Sequence, residues 1–460
     1  MNSKITMNDI LKEASTFRRN NNNEVRDIIV SNLYKHAEQI SKHTVTKNSN
    51  HRRDKRIDDI LTSKCFGIPI MLLLLCGVFW LTIEGANYPS QLLSNALFAL
   101  EPKLTQFFNY INAPSWLYGI LILGVYRTVA WVISVMLPPM AIFFPIFTLL
   151  EDLGYLPRVC FNLDHLFKKC CAHGKQCLTM CMGLGCNAAG VTACRIIDSP
   201  RERLIAILTN NFVPCNGRFP TLIAISTIFF GMKFKESFGG LIAALMVLML
   251  VIIGICITLL ISFILSKTLL KGIPSSFTLE LPPYRKPQLL RVLYTSILDR
   301  TIFVLGRAII VAAPAGAITY LLSNIYIGNL SIINHLANLL GPFGTLIGLD
   351  GFILLAFILG FPANEIVLPI LMMAYLSKGT MIEFENLQSL RTVLVNNGWT
   401  VLTAINMMLF SLLHFPCGTT VWTIKRETGS IKWTLFSILM PTAIAIIICL
   451  ITTQIFNLIY

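Results

Sequence analysis

Long apolar runs alternate along the chain with short polar and basic segments. A run of about twenty apolar residues is long enough to cross a bilayer as a helix. The pattern therefore predicts an all-α fold, a polytopic bundle of transmembrane helices. The predicted spans lie at about 66–86, 116–150, 176–197, 204–230, 238–265, 302–322, 348–375, 400–413 and 433–458. The run 116–150 is too long for one upright helix and contains Pro138 and Pro139, so it predicts a kinked span followed by a half-helix.

The polar segments divide the chain into five parts. These are a polar tail over 1–23 that we expect to be disordered, a cytoplasmic helical linker over 24–64, a first transmembrane half over 65–266, a cytoplasmic basic loop over 267–300 and a second transmembrane half over 301–460. In the linker, apolar residues recur at helical spacing and a basic run over 51–56 precedes the first span. Because basic segments stay inside, we expect a cytoplasmic N-terminus and an external loop over 87–115, which carries a single lysine.

Composition agrees with a membrane protein. The chain is 55% hydrophobic and only 13% charged, which lies outside the usual range of soluble proteins. Its net charge of +14 could indicate nucleic-acid binding, but the basic residues lie mainly beside apolar runs, as the positive-inside rule requires. We therefore expect membrane lipid as a partner and no nucleic acid. The first 64 residues contain no early apolar core, so no cleavable signal peptide is predicted.

Four interruptions of the apolar runs are the main functional signal. Two lie in the first half, at 182–190 and 211–217, and two lie in the second half, at 360–365 and 414–420. Each contains glycine or proline, and irregular backbone in lipid survives only where it is buried in protein or lines a wet cavity. Paired interruptions in two halves predict a central transport site, where half-helix ends and unwound carbonyls can coordinate an ion.

The side chains at these interruptions suggest a divalent metal. They combine soft sulfur with hard oxygen: Cys186, Asn187, Cys215, Asn216, Asn364, Glu365 and Cys417. This mixture suits a first-row divalent cation such as Fe2+, with Zn2+ and Mn2+ as competitors. Any single cysteine could instead be a small residue packed beside glycine. Glu365 is the most specific signal, because an unpaired carboxylate within an apolar run is costly without a cation or a partner.

Two further groups of residues are ambiguous. Glu151 and Asp152 end an apolar run at a membrane boundary, where they could attract cations or simply form a solvated helix end. Cys170, Cys171, Cys177 and Cys181 could form a structural zinc site, although they do not form two CxxC pairs.

Several motifs resemble the membrane domain of the FeoB-type ferrous iron transporters. They are the run 150–158 around Glu151 and Asp152, the interruption 183–187, the segment 357–365, and the segments 416–419 and 425–430. The resemblance covers roughly residues 25–458 and implies two Gate-type halves and Fe2+ uptake across a bacterial or archaeal plasma membrane. The family's cysteine positions fall on Cys186, Cys215 and Cys417, and its acidic positions fall on Glu151, Asp152 and Glu365.

The resemblance also implies a GTP-binding domain, which this sequence does not match. The phosphate loop should read G-x-x-x-x-G-K-[ST], and the nearest candidate, at 173–176, lacks the first glycine and the hydroxyl residue. We therefore expect a permease that is not an enzyme and does not bind GTP. A separate small GTPase would dock on residues 1–64 and the basic loops, or the chain would be a truncated or degenerate copy. A homo-oligomer is possible.

A second function stays open from the sequence alone. A Gate-fold protein could carry a nucleoside or another metabolite, or act as a membrane scaffold. A nucleoside site needs aromatic stacking and amide hydrogen bonds and does not need thiols, so insensitivity to thiol modification would favour it.

Overall fold

The computed structural model of the protein describes residues 13, 15–16, 25–44, 51–63, 65–170, 174–215, 217–231, 236–272, 284, 288–375 and 387–459. The described part is almost entirely helical, with one short antiparallel hairpin of β1 (Tyr326–Ile327) and β2 (Leu330–Ser331). This confirms the predicted all-α polytopic bundle. The tail that was predicted to be disordered, 1–23, lies almost wholly outside the described residues, as do Cys171 and Asn216.

The helices of the first half and its linker are α1 (Val25–Thr44), α2 (His51–Leu61), α3 (Gly67–Phe98), α4 (Glu101–Tyr110), α5 (Ser115–Asp152), α6 (Tyr155–Lys169), α7 (Gln176–Gly185), α8 (Asn187–Ala193), α9 (Pro200–Thr209), α10 (Phe219–Phe229) and α11 (Glu236–Lys267). Those that follow are α12 (Leu289–Tyr294), α13 (Phe303–Asn324), α14 (Ile332–Leu346), α15 (Gly351–Leu359), α16 (Val367–Tyr375), α17 (Leu387–Asn396), α18 (Val401–Leu413), α19 (Gly418–Thr428) and α20 (Ile431–Ile459). A π-helical segment, Thr295–Ile302, joins α12 to α13, and another, Gly119–Tyr126, lies inside α5.

Two expectations about the first half are wrong. Helix α5 is continuous from Ser115 to Asp152 although Pro138 and Pro139 lie inside it, so no separate half-helix forms. Neighbouring helices and local adjustments can re-satisfy backbone groups that proline frees within a membrane. The segment 87–115, expected to be a loop, is mostly helical, because α3 continues to Phe98 and α4 follows it.

Helices α7 and α8 form a hairpin that enters and leaves on the same face of the bundle. Lys175, before α7, donates to the carbonyl oxygen of Ile196 at 3.0 Å and to the carboxylate of Asp198 at 2.9 Å, both after α8. A methyl group on Gly190 of α8 would lie 2.9 Å from the carbonyl oxygen of Thr179 on α7. The predicted span at 176–197 is therefore a re-entrant hairpin, and Cys186 lies at its tip.

Helices α15 and α16 form a second re-entrant hairpin. The Tyr375 hydroxyl, at the end of α16, donates to the carboxylate of Asp350, which precedes α15. The rings of Phe352 and Tyr375 are 5.5 Å apart. The predicted span at 348–375 is thus also a hairpin, and its tip contains Asn364 and Glu365.

Two interrupted spans run in opposite directions beside the hairpins. In the span α9–α10, Arg201 donates to the carbonyl oxygen of Leu270 after α11, while Phe229 stacks on Trp399 at 5.8 Å. In the span α18–α19, Trp399 precedes the first helix, and Glu427 ends the second in an ion pair with Arg195 at 2.7 Å. We call the side with Lys175, Arg195 and Arg201 the first face, and the side with Trp399 and Tyr375 the second face.

The two halves are consequently inverted relative to each other. In the first half the hairpin enters from the first face and the interrupted span leads to the second face. In the second half the hairpin enters from the second face, because Trp399 donates to the Tyr375 hydroxyl at 2.8 Å. The interrupted span of that half runs from the second face to the first. This confirms two related halves with broken helices. Helix α20 begins near Glu427 and brings Thr453 to Asn406 of α18 at 2.9 Å, so its end lies towards the second face.

A cluster on the first face fastens the linker helix α2 to the membrane bundle. Arg158 of α6 is 1% exposed and donates to both carboxylate oxygens of Asp58, at 3.0 and 3.3 Å. The Tyr284 hydroxyl donates to the same carboxylate at 2.8 Å, and the guanidinium lies 4.1 Å from the centre of the Tyr284 ring. Burial and the hydrogen bond to Asp58 raise the pKa of Tyr284 to about 12, so the phenol stays protonated at neutral pH.

We expect Asp58→Asn to release α2 from the bundle. The substitution leaves the buried guanidinium of Arg158 without its anionic partner, which costs about 2 kcal/mol of local stability. Amide exchange over 51–61 should then be roughly 30-fold faster, measured by hydrogen-exchange mass spectrometry. The exposed neighbour provides the control, because Asp59→Asn should leave exchange unchanged. Equal exchange in the two variants would show that Asp58 does not hold the helix.

Candidate functional site

The four interruptions meet around one central cavity. Its volume is about 330 Å³. Among the described candidates, Cys186, Asn187, Cys215, Asn364, Glu365 and Cys417 all line it. The remaining wall comes mainly from α5 and α8, and it includes Phe143, Phe144 and Phe147. Residues separated by more than 200 positions in sequence therefore share one site at the middle of the bundle.

Cys186 lies at the tip of the first hairpin. It is the single extended residue between α7 and α8, with φ −154° and ψ 124°. Its sulfur faces the backbone N–H groups of Ala188 and Ala189 at the start of α8. A methyl group on Gly185 would collide with the ring of Phe144, so the tip packs closely against α5.

Asn187 and Asn210 hold the first hairpin against the interrupted span. Asn187 is buried, and in its better orientation its amide nitrogen donates to the carbonyl oxygens of Gly183 and Val213, at 3.2 and 3.3 Å. The Asn210 amide donates to the Asn187 carbonyl oxygen at 3.2 Å. Asn187 thus lines the cavity and also braces two interruptions, whereas its predicted role was only that of a metal ligand.

Glu365 and Asn364 bring oxygen to the same cavity from the second hairpin. Glu365 is 8% exposed, and no described residue forms an ion pair with it. Its carboxylate lies so close to Gly217 that a β-carbon at that position would collide with Oε1. The Oδ1 atom of Asn364 is buried and accepts no hydrogen bond from the described residues. A buried acceptor without a donor is costly, and a cation in the cavity would satisfy it.

Cys417 completes the set at the beginning of α19. Its sulfur lies 3.1 Å from the Thr419 hydroxyl and 3.2 Å from the Thr420 hydroxyl. The next residue, Gly418, donates its backbone N–H to the Phe361 carbonyl oxygen at 2.8 Å. This bond ties the two interruptions of the second half together, so Cys417 and Glu365 reach the cavity from adjoining segments.

The cavity has a mostly apolar wall with a few polar or thiol side chains in it, and the described residues form no compact ligand cage there. Within the described ranges, no three side chains of His, Cys, Asp or Glu are close enough together to hold a metal ion. Three thiols, two amides and one carboxylate are instead spread around a volume of about 330 Å³. A site that passes an ion must bind it weakly enough for release, and a dispersed set of soft and hard donors suits that requirement.

Glu151 and Asp152 do not reach this cavity. They end α5 at the first face, where the carboxylate of Asp152 accepts from the backbone N–H of Gln288 at 3.2 Å. Their predicted role in attracting a cation is therefore possible only at the approach to the first face. Of the cysteines considered for zinc, Cys177 contacts Cys160 of α6 and Cys181 of its own helix in the apolar packing between α6 and α7.

Two buried residues beside the cavity were not among the candidate site residues predicted from the sequence. Arg218 and His414 are each 1% exposed and lie at the interruptions of the two spans. The ring of His414 packs among Phe357, Phe410 and Phe415, with centroids 4.7 to 5.8 Å away. The available signal was an arginine next to the Cys215 interruption, in a segment that must lie within the membrane.

The close packing of the first hairpin makes a glycine there sensitive to substitution. A methyl group on Gly190 would meet the Asn210 amide at about 2.5 Å as well as the Thr179 carbonyl oxygen. We expect Gly190→Ala to destabilise the protein by about 1–3 kcal/mol, seen as a lower midpoint in thermal unfolding in detergent. In α3, Gly77 has nothing within 4 Å, so Gly77→Ala should be neutral or slightly stabilising. Equal midpoints would contradict the packed hairpin.

Two protein families match separate parts of the chain. The Gate family, described as "Nucleoside recognition", matches residues 133–229. These residues include most of α5, the first hairpin and the span α9–α10. The family described as "Ferrous iron transport protein B C terminus" matches residues 247–299, from within α11 to the start of the second half.

Similarity to individual curated proteins extends over most of the chain. This chain is 30% identical over 417 residues to the Fe(2+) transporter FeoB of Staphylococcus aureus (strain MSSA476). The aligned region covers 88% of this chain and 59% of that protein. The Fe(2+) transporter FeoB of Methanocaldococcus jannaschii is 28% identical over 94% of this chain and 63% of its own length. A Porphyromonas gingivalis fusion of Fe(2+) transport protein A with Fe(2+) transporter FeoB is 27% identical over 85% of this chain and 50% of its own length. The chain thus spans about 59% of the first of these relatives. No solved structure matches it.

Proposed function

We propose that the chain is a membrane domain of the FeoB type and that it carries Fe2+ across the membrane through the central cavity. The observation that supports the proposal best is the meeting of all four interruptions around a cavity lined by three cysteines, two asparagines and Glu365. Fe2+ accepts both thiolate and oxygen ligands. The Oδ1 atom of Asn364 has no hydrogen-bond donor and the carboxylate of Glu365 no ion-pair partner among the described residues, and both groups suit a cation and would repel an anion.

The orientation that fits the charge distribution places the first face in the cytoplasm. The basic run over 51–56, the described residues 267–272 and 288–300, and Lys425, Arg426 and Lys432 all lie towards that side. With this orientation the linker α1–α2 is cytoplasmic, and the C-terminal end of α20 lies outside. The protein is a multi-pass membrane protein, and its relatives in bacteria and an archaeon support a prokaryotic plasma membrane as its location.

We further propose that a GTP-binding domain acts on this chain in trans. Its docking surface would be the linker and the basic segments of the first face, and the Asp58–Arg158 contact would pass its movement to α6 and the first hairpin. The protein itself would then supply the pathway and the partner would regulate it.

Uptake into proteoliposomes tests the proposed function. Liposomes containing this chain are assayed for Fe2+ uptake under reducing conditions, alone and with a small GTPase encoded beside it plus GTP. Uptake that needs the GTPase would support a split transporter, and uptake by the chain alone would support a GTP-independent permease. Failure of uptake under both conditions would contradict iron transport.

One observation favours a second candidate, a nucleoside or a similar metabolite. Phe143, Phe144 and Phe147 form one wall of the cavity, and an aromatic wall can stack on a base. Phe143 and Phe147 already stack on each other at 5.6 Å, which leaves less of their ring faces free. Uptake of a labelled nucleoside that survives thiol modification, together with absence of Fe2+ uptake, would support this candidate.

A further inference from the structure

The described residues that line the cavity lie towards one face of the bundle. On the first-face side its lining includes Thr192 and Ala193 near the end of α8, Ala308 near the start of α13, and Thr419 on α19. From the second hairpin it includes only tip residues, 362–365, and none from α15 or α16. From α10, which leads to the second face, it includes nothing. Among the described residues, the lining therefore extends towards the first face and does not include the helices that lead to the second.

Arg218 lies on the second-face side, at the junction of the two interrupted spans. It is the residue before α10, the helix that runs to the second face. Its guanidinium donates to the carbonyl oxygens of Asn211 at 2.8 Å and Leu412 at 2.7 Å. It also donates to the carbonyl oxygens of His414 and Phe415, both at 3.2 Å. Three of these four carbonyls belong to the other half of the protein.

A second contact reinforces this junction. Asn211 accepts from Arg218 through its side-chain oxygen at 3.0 Å, and its amide donates to the His414 carbonyl oxygen at 2.7 Å. The unwound carbonyls that could otherwise receive a cation are thus occupied by the guanidinium. Arginine suits this position because it stays charged and presents five donors in a rigid fork.

From this geometry we infer that Arg218 closes the second-face side of the pathway. It does so in two ways, by tying the interrupted spans of the two halves together and by placing a fixed positive charge where a cation would have to pass. A cation from the second face can reach Cys417 and Glu365 only when the guanidinium leaves the carbonyls of 412–415. Arg218 is thus a positioning residue for alternating access, and the inference rests on the proposed transport function.

Side-specific labelling of Cys417 tests this role without iron. Vesicles of defined orientation are treated with a membrane-impermeant thiol reagent from one face at a time, and Cys417 modification is measured by mass spectrometry. In the unmodified protein we expect labelling from the first face and at least tenfold slower labelling from the second. Arg218→Gln, which removes the charge and the fork, should raise second-face labelling at least tenfold. Arg218→Lys, which keeps only the charge, should give an intermediate rate.

A second arginine supplies the matched control. Arg201 also donates to a backbone carbonyl and to the Ser266 hydroxyl, but it lies at the first face on α9, away from the cavity. Arg201→Gln should leave second-face labelling of Cys417 at the unmodified rate. Second-face labelling unchanged in both Arg218 variants would overturn the inference.

Folding and transport are monitored separately. The core cysteines Cys177 and Cys449 are buried, so their labelling would show that the Arg218→Gln variant is unfolded. In that case the second-face labelling rate of Arg218→Lys tests the inference. The labelling uses no metal and is therefore independent of transport. If Arg218→Gln raises second-face labelling as expected but the protein takes up no Fe2+, only the proposed function is contradicted. Uptake without any effect of Arg218 on access would contradict this inference alone.

Discussion

Glu365→Gln should reduce Fe2+ uptake into proteoliposomes at least a hundredfold. The carboxylate is the only acidic side chain among the described residues that line the cavity. Its charge compensates a divalent cation in a place where water is scarce and electrostatic interactions are strong. A hundredfold effect corresponds to about 2.7 kcal/mol, which is modest for a full charge in such surroundings. Glutamine has nearly the same shape, so the packing against Gly217 should be preserved.

The control is a glutamate outside the cavity. Glu84 lies on α3 and is exposed, so Glu84→Gln should transport Fe2+ at the unmodified rate. Uptake by Glu365→Gln within a factor of two of the unmodified protein would remove this residue from the pathway.

Cys417→Ser should lower Fe2+ uptake about tenfold to a hundredfold and shift the preference towards Mn2+. Sulfur donors favour iron and zinc over manganese, whereas a hydroxyl is a hard donor that does not discriminate in this way. Serine can keep contacts with the hydroxyls of Thr419 and Thr420, so the start of α19 should stay folded. The measurement is the ratio of Fe2+ to Mn2+ uptake, each determined alone under reducing conditions.

Cys186→Ser should behave in the same way, since Cys186 faces the same cavity. Cys256 is exposed on α11, and Cys256→Ser should change neither the rate nor the ratio. A normal ratio in both cavity variants would indicate that their thiols only pack beside glycine.

The position of the interruptions could be predicted from the sequence, but the path of the chain around them could not. Glycine, proline and asparagine within apolar runs marked the segments of Cys186, Cys215, Glu365 and Cys417, and the described ones converge on one cavity. Hydropathy does not separate a span from a re-entrant hairpin, because both contain about twenty apolar residues. The distinction depends on contacts at the hairpin bases, such as Lys175 with Asp198.

Long-range contacts also explain the other differences. The continuity of α5 through Pro138 and Pro139 depends on neighbouring helices, which a local pattern does not contain. Arg218 is a single charge in an apolar segment, and its role depends on carbonyls almost 200 residues away, such as that of Leu412. Glu151 and Asp152 matched a motif in sequence, yet their place at the first face is set by where α5 ends.

The most direct test of the central claim is protection of cysteines by iron. The purified chain in lipid is treated anaerobically with N-ethylmaleimide, with and without Fe2+, and each cysteine is quantified by mass spectrometry. We predict that Fe2+ slows modification of Cys186, Cys215 and Cys417 together, while the exposed Cys65 and Cys256 react at unchanged rates. Modification of the three cavity cysteines at the same rate with and without Fe2+ would contradict a metal pathway through this cavity.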